Sequence, residues 1–366
     1  MINNMEIIEA TIPLTPTNPK QEWLNEWNNQ LFVKIKDDAG REGIGEILIA
    51  AANSRKPYIA LLEKLKPILM SSDERNIKSI WNSLRKVTFT SGYGISTGVL
   101  SGIDIALWDL MGKRLNENLS VIAGKYVDYV PRYASLSRYK STEDVLKVVE
   151  SLFKQGYTSI KLHQTSEDTI ESVKLIREKF GYGFDLMVDL NCSMFQAKAL
   201  EFARKISKYE LKWIEEPVWP PDDYSSLKKI NKIIPVAAGE NFFSIFEFRN
   251  LLENDCLSVY QPDVTKIGGI SPMLEIMGLL KSYNAYLSFH NRPHNGWVGI
   301  MASANLAATY NGETIIETPP NEPPESIHID GNVEKNKIIL GGEGLGISIS
   351  NDLPVSEKEY LLKFHK

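Results

Sequence analysis

The sequence predicts an α/β fold, a parallel (β/α) barrel joined to an N-terminal α+β domain, and two observations carry that prediction. Three short apolar segments each run into acid: Leu186-Met187-Val188 into Asp189, Trp213-Ile214 into Glu215, and Val236-Ala237-Ala238-Gly239 into Glu240. The acids are spaced 26 and then 25 residues apart, room for one strand, one helix and two loops, which is the length of a βα repeat. The second observation is a change of pattern near residue 126. Strands and then helices precede it, and strand and helix alternate after it. Successive strand ends of a parallel barrel converge on one face, so Asp189, Glu215 and Glu240 are expected to meet there. Three unpaired carboxylates in one place repel, and a hard divalent cation removes that penalty.

The elements follow in order. Residues 5–12 and 30–36 carry β-type apolar patterns, and residues 40–46, with Gly43 and Gly45, read as a turn followed by another strand. Between the first two strands, residues 14–28 form a polar, Pro-containing loop with Trp23 and Trp27, which suits a lid or simple surface packing equally. Helical periodicity covers residues 58–69, 76–87 and 95–115. The barrel begins with a strand at 130–134, a helix at 143–155, a strand at 159–163 and a helix at 167–180. The domains divide as 1–125, 126–325 and a tail, 326–366, in which glycines at 341, 342, 344 and 346 break the βα period. The tail is expected to return to the N-terminal domain, leaving that domain free to cover the barrel mouth.

The same register finds further chemistry. Lys161 precedes Asp189 by 28 residues, and Asp263, His290 and Glu317 follow Glu240 at intervals of 23, 27 and 27. Side chains alternate along a strand, so Lys161 and His163 share the barrel interior while Leu162 faces the helices. Glu215 likewise faces inward with Trp213, and Glu216 points the other way, beneath the ligand set. Asp263 and His290 come from neighbouring strand ends, so the carboxylate is expected to orient the imidazole as an acid–base pair requires. Glu317, if protonated, can donate to a substrate oxygen. Asn191, Arg292 and His294 stand in loops where they can contact a polar substrate, and Lys266 precedes a Gly268-Gly269 turn whose glycines permit close backbone packing.

Composition bounds the partners. Of the 366 residues, 43% are hydrophobic and 24% charged, as in ordinary globular chains, which excludes a disordered or fibrous reading. A net charge of −5 argues against a nucleic-acid partner. No apolar run reaches the roughly 18 residues of a membrane span, and residues 1–9 lack the basic and apolar regions of a secretory leader. The two cysteines, Cys192 and Cys256, fit a reducing compartment. A cytoplasmic protein is therefore expected.

Taken together, Ala106-Leu107-Trp108-Asp109, Asp189-Leu190-Asn191, Glu215-Glu216-Pro217, Gly239-Glu240-Asn241 and Lys266-Ile267-Gly268-Gly269 resemble the enolase superfamily, in its mandelate racemase/muconate lactonizing enzyme branch. The resemblance implies a modified TIM barrel under an α+β capping domain completed by the C-terminal tail. It implies Mg²⁺, one per site with Mn²⁺ as an alternative, held by Asp189, Glu215 and Glu240, and abstraction of a proton α to a small-molecule carboxylate to give a metal-bound enediolate. The Asp263/His290 pair resembles the mandelate racemase subgroup, because the muconate lactonizing subgroup has a lysine where Asp263 stands. The usual Lys-x-Lys is here Lys161-Leu162-His163, so His163 is either a base or a binder of a substrate hydroxyl. Subgroup analogy favours an acid-sugar dehydratase, with a racemase, epimerase, lactone cycloisomerase or a non-catalytic sugar-acid binder as alternatives. Barrels of this kind form symmetric assemblies, so a homo-oligomer is expected.

Overall fold

A computed structural model describes residues 1–12, 19–22, 25–49, 55–70, 72–292 and 296–350. Alternating apolar residues make Ile2–Thr11, Asn29–Asp37 and Glu42–Ile47 an antiparallel sheet, with the second strand in the middle. Leu31, Val33 and Ile35 on one face pack with three helices, α1 (Lys56–Leu69), α2 (Ile77–Thr88) and α3 (Ile95–Leu115). Phe32 and Ile44 on the other face join the core that continues into the barrel. Nearly every residue of α3 from Ser96 to Leu107 is buried, as expected of a helix packed on both sides.

Gly43 and Gly45 do not form the turn that the sequence suggests. The turn falls earlier, at Asp38 and Ala39, where Asp37 Oδ1 accepts the amides of Ala39 and Arg41. Both glycines lie inside the strand because α3 presses on it: a Cβ on Gly45 would stand 1.9 Å from the Gly102 carbonyl oxygen, and one on Gly43 2.1 Å from that of Ala106.

The barrel is closed and parallel, with eight strands at Tyr129–Ser135, Ser159–Leu162, Asp185–Asp189, Ile214–Glu215, Val236–Ala238, Val259–Tyr260, Tyr286–Phe289 and Thr314–Thr318. Each pairs with the next, and the eighth returns to the first through Ile316 opposite Arg132. Side-chain parity builds two layers. Inward-facing Tyr133, Met187, Trp213, Ala237, Val259 and Ile315 plug the interior. Outward-facing Leu162, Val188, Ile214, Ala238, Leu287 and Ile316 pack in the main core with the surrounding helices. Each fully buried aliphatic side chain in these layers contributes about 1.5–3 kcal/mol, enough to pin the register of every strand and with it the polar residues at the strand ends.

The tail holds barrel and cap together. Lys337–Ile339 pairs antiparallel with the first barrel strand, and Ile327–Ile329 pairs with Ile347–Ile349. Between these, the Leu345 amide donates to Asp109 Oδ1 at 2.8 Å and the Leu119 amide to the Gly344 carbonyl at 2.7 Å, so the glycine-rich segment locks onto the end of α3. Gly344 has φ +60 and its missing Cβ makes room for Asp109. No helix among the described residues is long and apolar enough to cross a membrane.

Candidate active site

A cavity of about 1010 Å³ lies at the C-terminal ends of the barrel strands, roofed by the cap. Of the residues that the βα register singled out, His163, Asp189, Glu240 and His290 line its floor, and Lys161, Glu215 and Glu317 are buried against them. Lys161, wholly buried, sends Nζ to 2.6 Å from Glu215 Oε1, 2.8 Å from Glu317 Oε1 and 3.5 Å from Asp189 Oδ2. Burial alone would neutralise this lysine, but the surrounding acids, Glu215 foremost, hold its pKa well above the usual value. Glu215 is saturated by donors. Oε1 takes Lys161, and Oε2 accepts from Gln261 Nε2 at 2.7 Å and Trp213 Nε1 at 3.2 Å. Burial pushes its own pKa up, with Lys161 opposing.

Asp189 and Glu240 face the cavity. Asp189 Oδ1 accepts the Asn191 amide at 2.8 Å, and Oδ2 lies 3.0 Å from His163 Nε2. Burial works to raise the Asp189 pKa, but Lys161 and His163 hold it at about 2. Burial opposes ionisation of Glu240 as well, and His290 and Lys266 hold its pKa below the carboxylate range. Glu216 points away from Glu215, as parity requires, and accepts from Cys192 Sγ at 2.9 Å and the Gly239 amide at 3.3 Å. Its pKa rises to about 7 through burial and the nearby Glu240.

The two histidines are fixed by what their Nδ1 atoms meet. His290 Nδ1 lies 2.6 Å from Asp263 Oδ2, whose other oxygen accepts the amide and hydroxyl of Thr265. Donation from Nδ1 to that fixed carboxylate turns Nε2 into the cavity, 2.5 Å from Glu240 Oε2 and 4.0 Å from Glu317 Oε2. Burial would lower the His290 pKa, but Glu240 and Asp263 raise it well above the ordinary value. His163 Nδ1 donates to the Leu136 carbonyl at 2.5 Å, which leaves Nε2 on the cavity side. Glu317 accepts from Ser135 Oγ and Lys161 on Oε1 and from the Asn291 amide on Oε2, so in this arrangement it is an acceptor, and donation to a substrate would need one of these partners to leave.

Lys266 reaches Asn241 Oδ1 at 3.2 Å and borders the cavity, and Asn191 and Arg292 border it too. His294 lies outside the described residues. Pattern reading passed over Gln261 and Ser135, although each stands on the inward parity of its strand, and over the backbone carbonyl of Leu136, which no side-chain pattern reports. The loop that suggested a lid does border the site: Gln21–Glu22 pairs with Arg138–Tyr139, and Lys20, Gln21, Glu22 and Trp27 line the cavity. Trp23 lies outside the described residues.

The donor chemistry fits a hard divalent cation. Asp189, Glu215, Glu216, Glu240, Asp263 and Glu317 bring six buried or half-buried carboxylates against Lys161, Lys266 and two imidazoles, an excess that oxygen-seeking cations relieve. Among the described residues no three such groups are gathered around one point at ligand distance. Instead Glu215 is turned to Lys161 and Glu240 to His290.

An eight-stranded βα barrel under an α+β cap, with carboxylates, lysine and a His–Asp pair at its strand ends, has the build of a barrel enzyme with acid–base groups at the mouth. Two family models match this chain, the mandelate racemase/muconate lactonizing enzyme N-terminal domain over residues 9–124 and the enolase C-terminal domain-like family over residues 144–353. The chain belongs to the mandelate racemase/muconate lactonizing enzyme family of the enolase superfamily, and is an enzyme of that superfamily. It is 29% identical over 330 residues to an arabinonate dehydratase of Saccharolobus solfataricus, covering 86% of this chain and 87% of that one. It is 28% identical over 266 residues to a 3,6-anhydro-alpha-L-galactonate cycloisomerase of Streptomyces coelicolor, covering 71% and 74%. The structure of L-talarate dehydratase from Polaromonas sp. JS666, solved with Mg and L-glucarate, superposes with a TM-score of 0.82 at 23% identity over 96% of each chain and shows the shared fold.

Proposed function

We propose that this enzyme is a Mg²⁺-dependent acid-sugar dehydratase, which removes the α-proton of a sugar-acid carboxylate and expels the β-hydroxyl as water. The observation that carries this reading is the His290–Asp263 pair. Asp263 holds Nδ1, so Nε2 alone serves the cavity, where it can give a proton to a leaving hydroxyl. His163 offers the complementary group from the second barrel strand: its Nδ1 is committed to a backbone carbonyl, and its Nε2 faces the cavity beside Asp189, where it can accept a proton once Asp189 is engaged by the metal.

Asp189, Glu215 and Glu240 would hold the metal, with Lys161 beside it. When bound, Mg²⁺ supplies positive charge to offset the second negative charge that develops on the substrate carboxylate. The chain's own groups do the rest. His163 Nε2 takes the α-proton, and the electron pair it leaves forms the enediolate, which Lys161 Nζ stabilises. As that pair returns, the bond from the β-carbon to its hydroxyl breaks and His290 Nε2 delivers a proton to the departing oxygen. The enol then becomes a 2-keto-3-deoxy acid. A merely non-catalytic binder has no need of two imidazoles with fixed tautomers on one cavity.

A ring-opening reaction is the second reading, favoured by the cycloisomerase relative. A substrate whose β-oxygen belongs to an anhydro ring would lose it by the same step without losing water. A library of aldonates, aldarates and their anhydro forms, incubated with Mg²⁺ and treated with semicarbazide, tests both. A keto product lighter than its substrate by one water supports dehydration, a keto product of unchanged mass supports ring opening, and absence of any keto product from the whole library contradicts both.

A further inference from the structure

The helix Trp297–Ala307, next after the strand that leads into His290, is buried along its whole length. Its own sequence leaves the first amides unserved, because Gly296 precedes it and its first turn carries no acid. The cap supplies the missing group. Glu46, buried on the cap strand Glu42–Ile47, reaches across to the barrel, and its Oε2 accepts the Gly299 amide at 3.0 Å. The helix start is fitted to this carboxyl, since a Cβ on Gly296 would stand 3.3 Å from Oε1. Burial pushes the Glu46 pKa up to about 7, with the Arg292 guanidinium and the Gly299 amide opposing, and in either protonation state an oxygen remains to accept that amide. The link runs on to the acid–base pair. A Cβ on Gly299 would stand 2.6 Å from Thr265 Cγ2, so Thr265 packs on the turn that Glu46 holds. Thr265 gives its amide and hydroxyl to Asp263 Oδ1, and Asp263 Oδ2 meets His290 Nδ1. A β-branched side chain is stiff about χ1, so a shift of the helix turn moves the hydroxyl that fixes Asp263.

We propose that Glu46 of the cap is a positioning residue for the acid–base pair: it caps the barrel helix Trp297–Ala307 and, through Gly299, Thr265 and Asp263, fixes the imidazole of His290. The inference rests on the reading of His290 as the group that protonates the leaving oxygen, and adds that the cap sets its aim. The cavity lining does not include Glu46, so its effect on the reaction passes through these neighbours.

The first readout needs no substrate. Wild type with Mg²⁺ is expected to show a downfield proton resonance from Nδ1 of His290, assigned by its loss in His290→Asn. Glu46→Leu keeps most of the volume without the acceptor, and is expected to lose or broaden that resonance while its Gly299 amide exchanges with solvent roughly 10-fold faster. Glu46→Gln keeps an oxygen for Gly299 and is expected to hold both close to wild type. With a substrate from the library, Glu46→Leu is expected to lower kcat roughly 10–100-fold at little change in KM, and Glu46→Gln to restore most of it. Should Glu46→Leu fail to fold, Gly299→Ala probes the same chain from the barrel side, because its methyl meets Thr265 Cγ2. It is expected to lose the resonance, and adding Thr265→Ser, which drops that methyl and keeps the hydroxyl, to regain it. An unchanged resonance and kcat in Glu46→Leu or Gly299→Ala, or a loss carried by KM alone, overturns the proposal, as does absence of the resonance from wild type. A resonance lost in Glu46→Leu and kept in Glu46→Gln, with no keto product from the library, leaves the positioning role standing and removes dehydration.

Discussion

Single residues decide which imidazole does what. Asp263 uses one oxygen on His290 and the other on Thr265, so His290 cannot turn without breaking a buried pair. His290→Asn is expected to cut turnover roughly 10²–10⁴-fold while Mg²⁺ still binds by calorimetry, since the carboxylates remain. Turnover at the wild-type rate contradicts the assignment. For His163→Ala the account predicts loss of α-proton exchange with solvent at little change in KM. A raised KM with exchange preserved would make His163 a hydroxyl binder instead. Asp189, Glu215 and Glu240 were legible because the βα period forces polar residues at strand ends into one place. Gln261 and Ser135 were not, because a lone glutamine or serine gains meaning only from the partners it has in three dimensions.

Among the elements, α3 and the third cap strand approach each other backbone to backbone. The strand must be glycine at two alternate positions so that the helix backbone can approach. Gly45→Ala would push a methyl into the Gly102 carbonyl, and a destabilisation of about 1–3 kcal/mol is expected, read as a lower Tm and a lower denaturant midpoint. An unchanged Tm would mean that the helix can slide away freely. The helices and barrel strands were readable from periodicity, since 3.6-residue and 2-residue patterns follow directly from which face is buried. The purpose of Gly43 and Gly45 was not, because a residue without a side chain leaves no periodic mark and the reason for it sits some 60 residues away.

For the whole molecule, cap and barrel are docked through buried carboxylates. Asp104 on α3 accepts the amide and the hydroxyl of Ser271 at 2.8 and 2.7 Å, beside Gly269, whose missing Cβ leaves it room. Burial pushes the Asp104 pKa up to about 7, with the Ser271 hydrogen bonds opposing. The folded state thus favours the protonated carboxyl. Its stabilisation is complete below the unfolded pKa near 3.8 and is lost as pH rises to about 7, a loss on the order of 4 kcal/mol. Asp104→Asn mimics the protonated form, so it is expected to melt above wild type at pH 8 and to converge with it toward pH 4. Parallel melting curves across that range would contradict the assignment. The two-domain plan was visible in the switch of pattern near residue 126, but this docking was not, because Asp104 and Ser271 are 167 residues apart and neither is unusual in its own segment.

The central claim is elimination from an α-deprotonated sugar acid, and turnover in D₂O tests it most directly. With a substrate found in the library screen, Mg²⁺ and wild-type enzyme, the account predicts a 2-keto-3-deoxy product that has lost water and carries solvent deuterium at C3, and His290→Asn forms it roughly 10²–10⁴-fold more slowly. Deuterium entering C2 of recovered substrate, with the stereocentre inverted and no water lost, would contradict elimination and make the enzyme a racemase or epimerase.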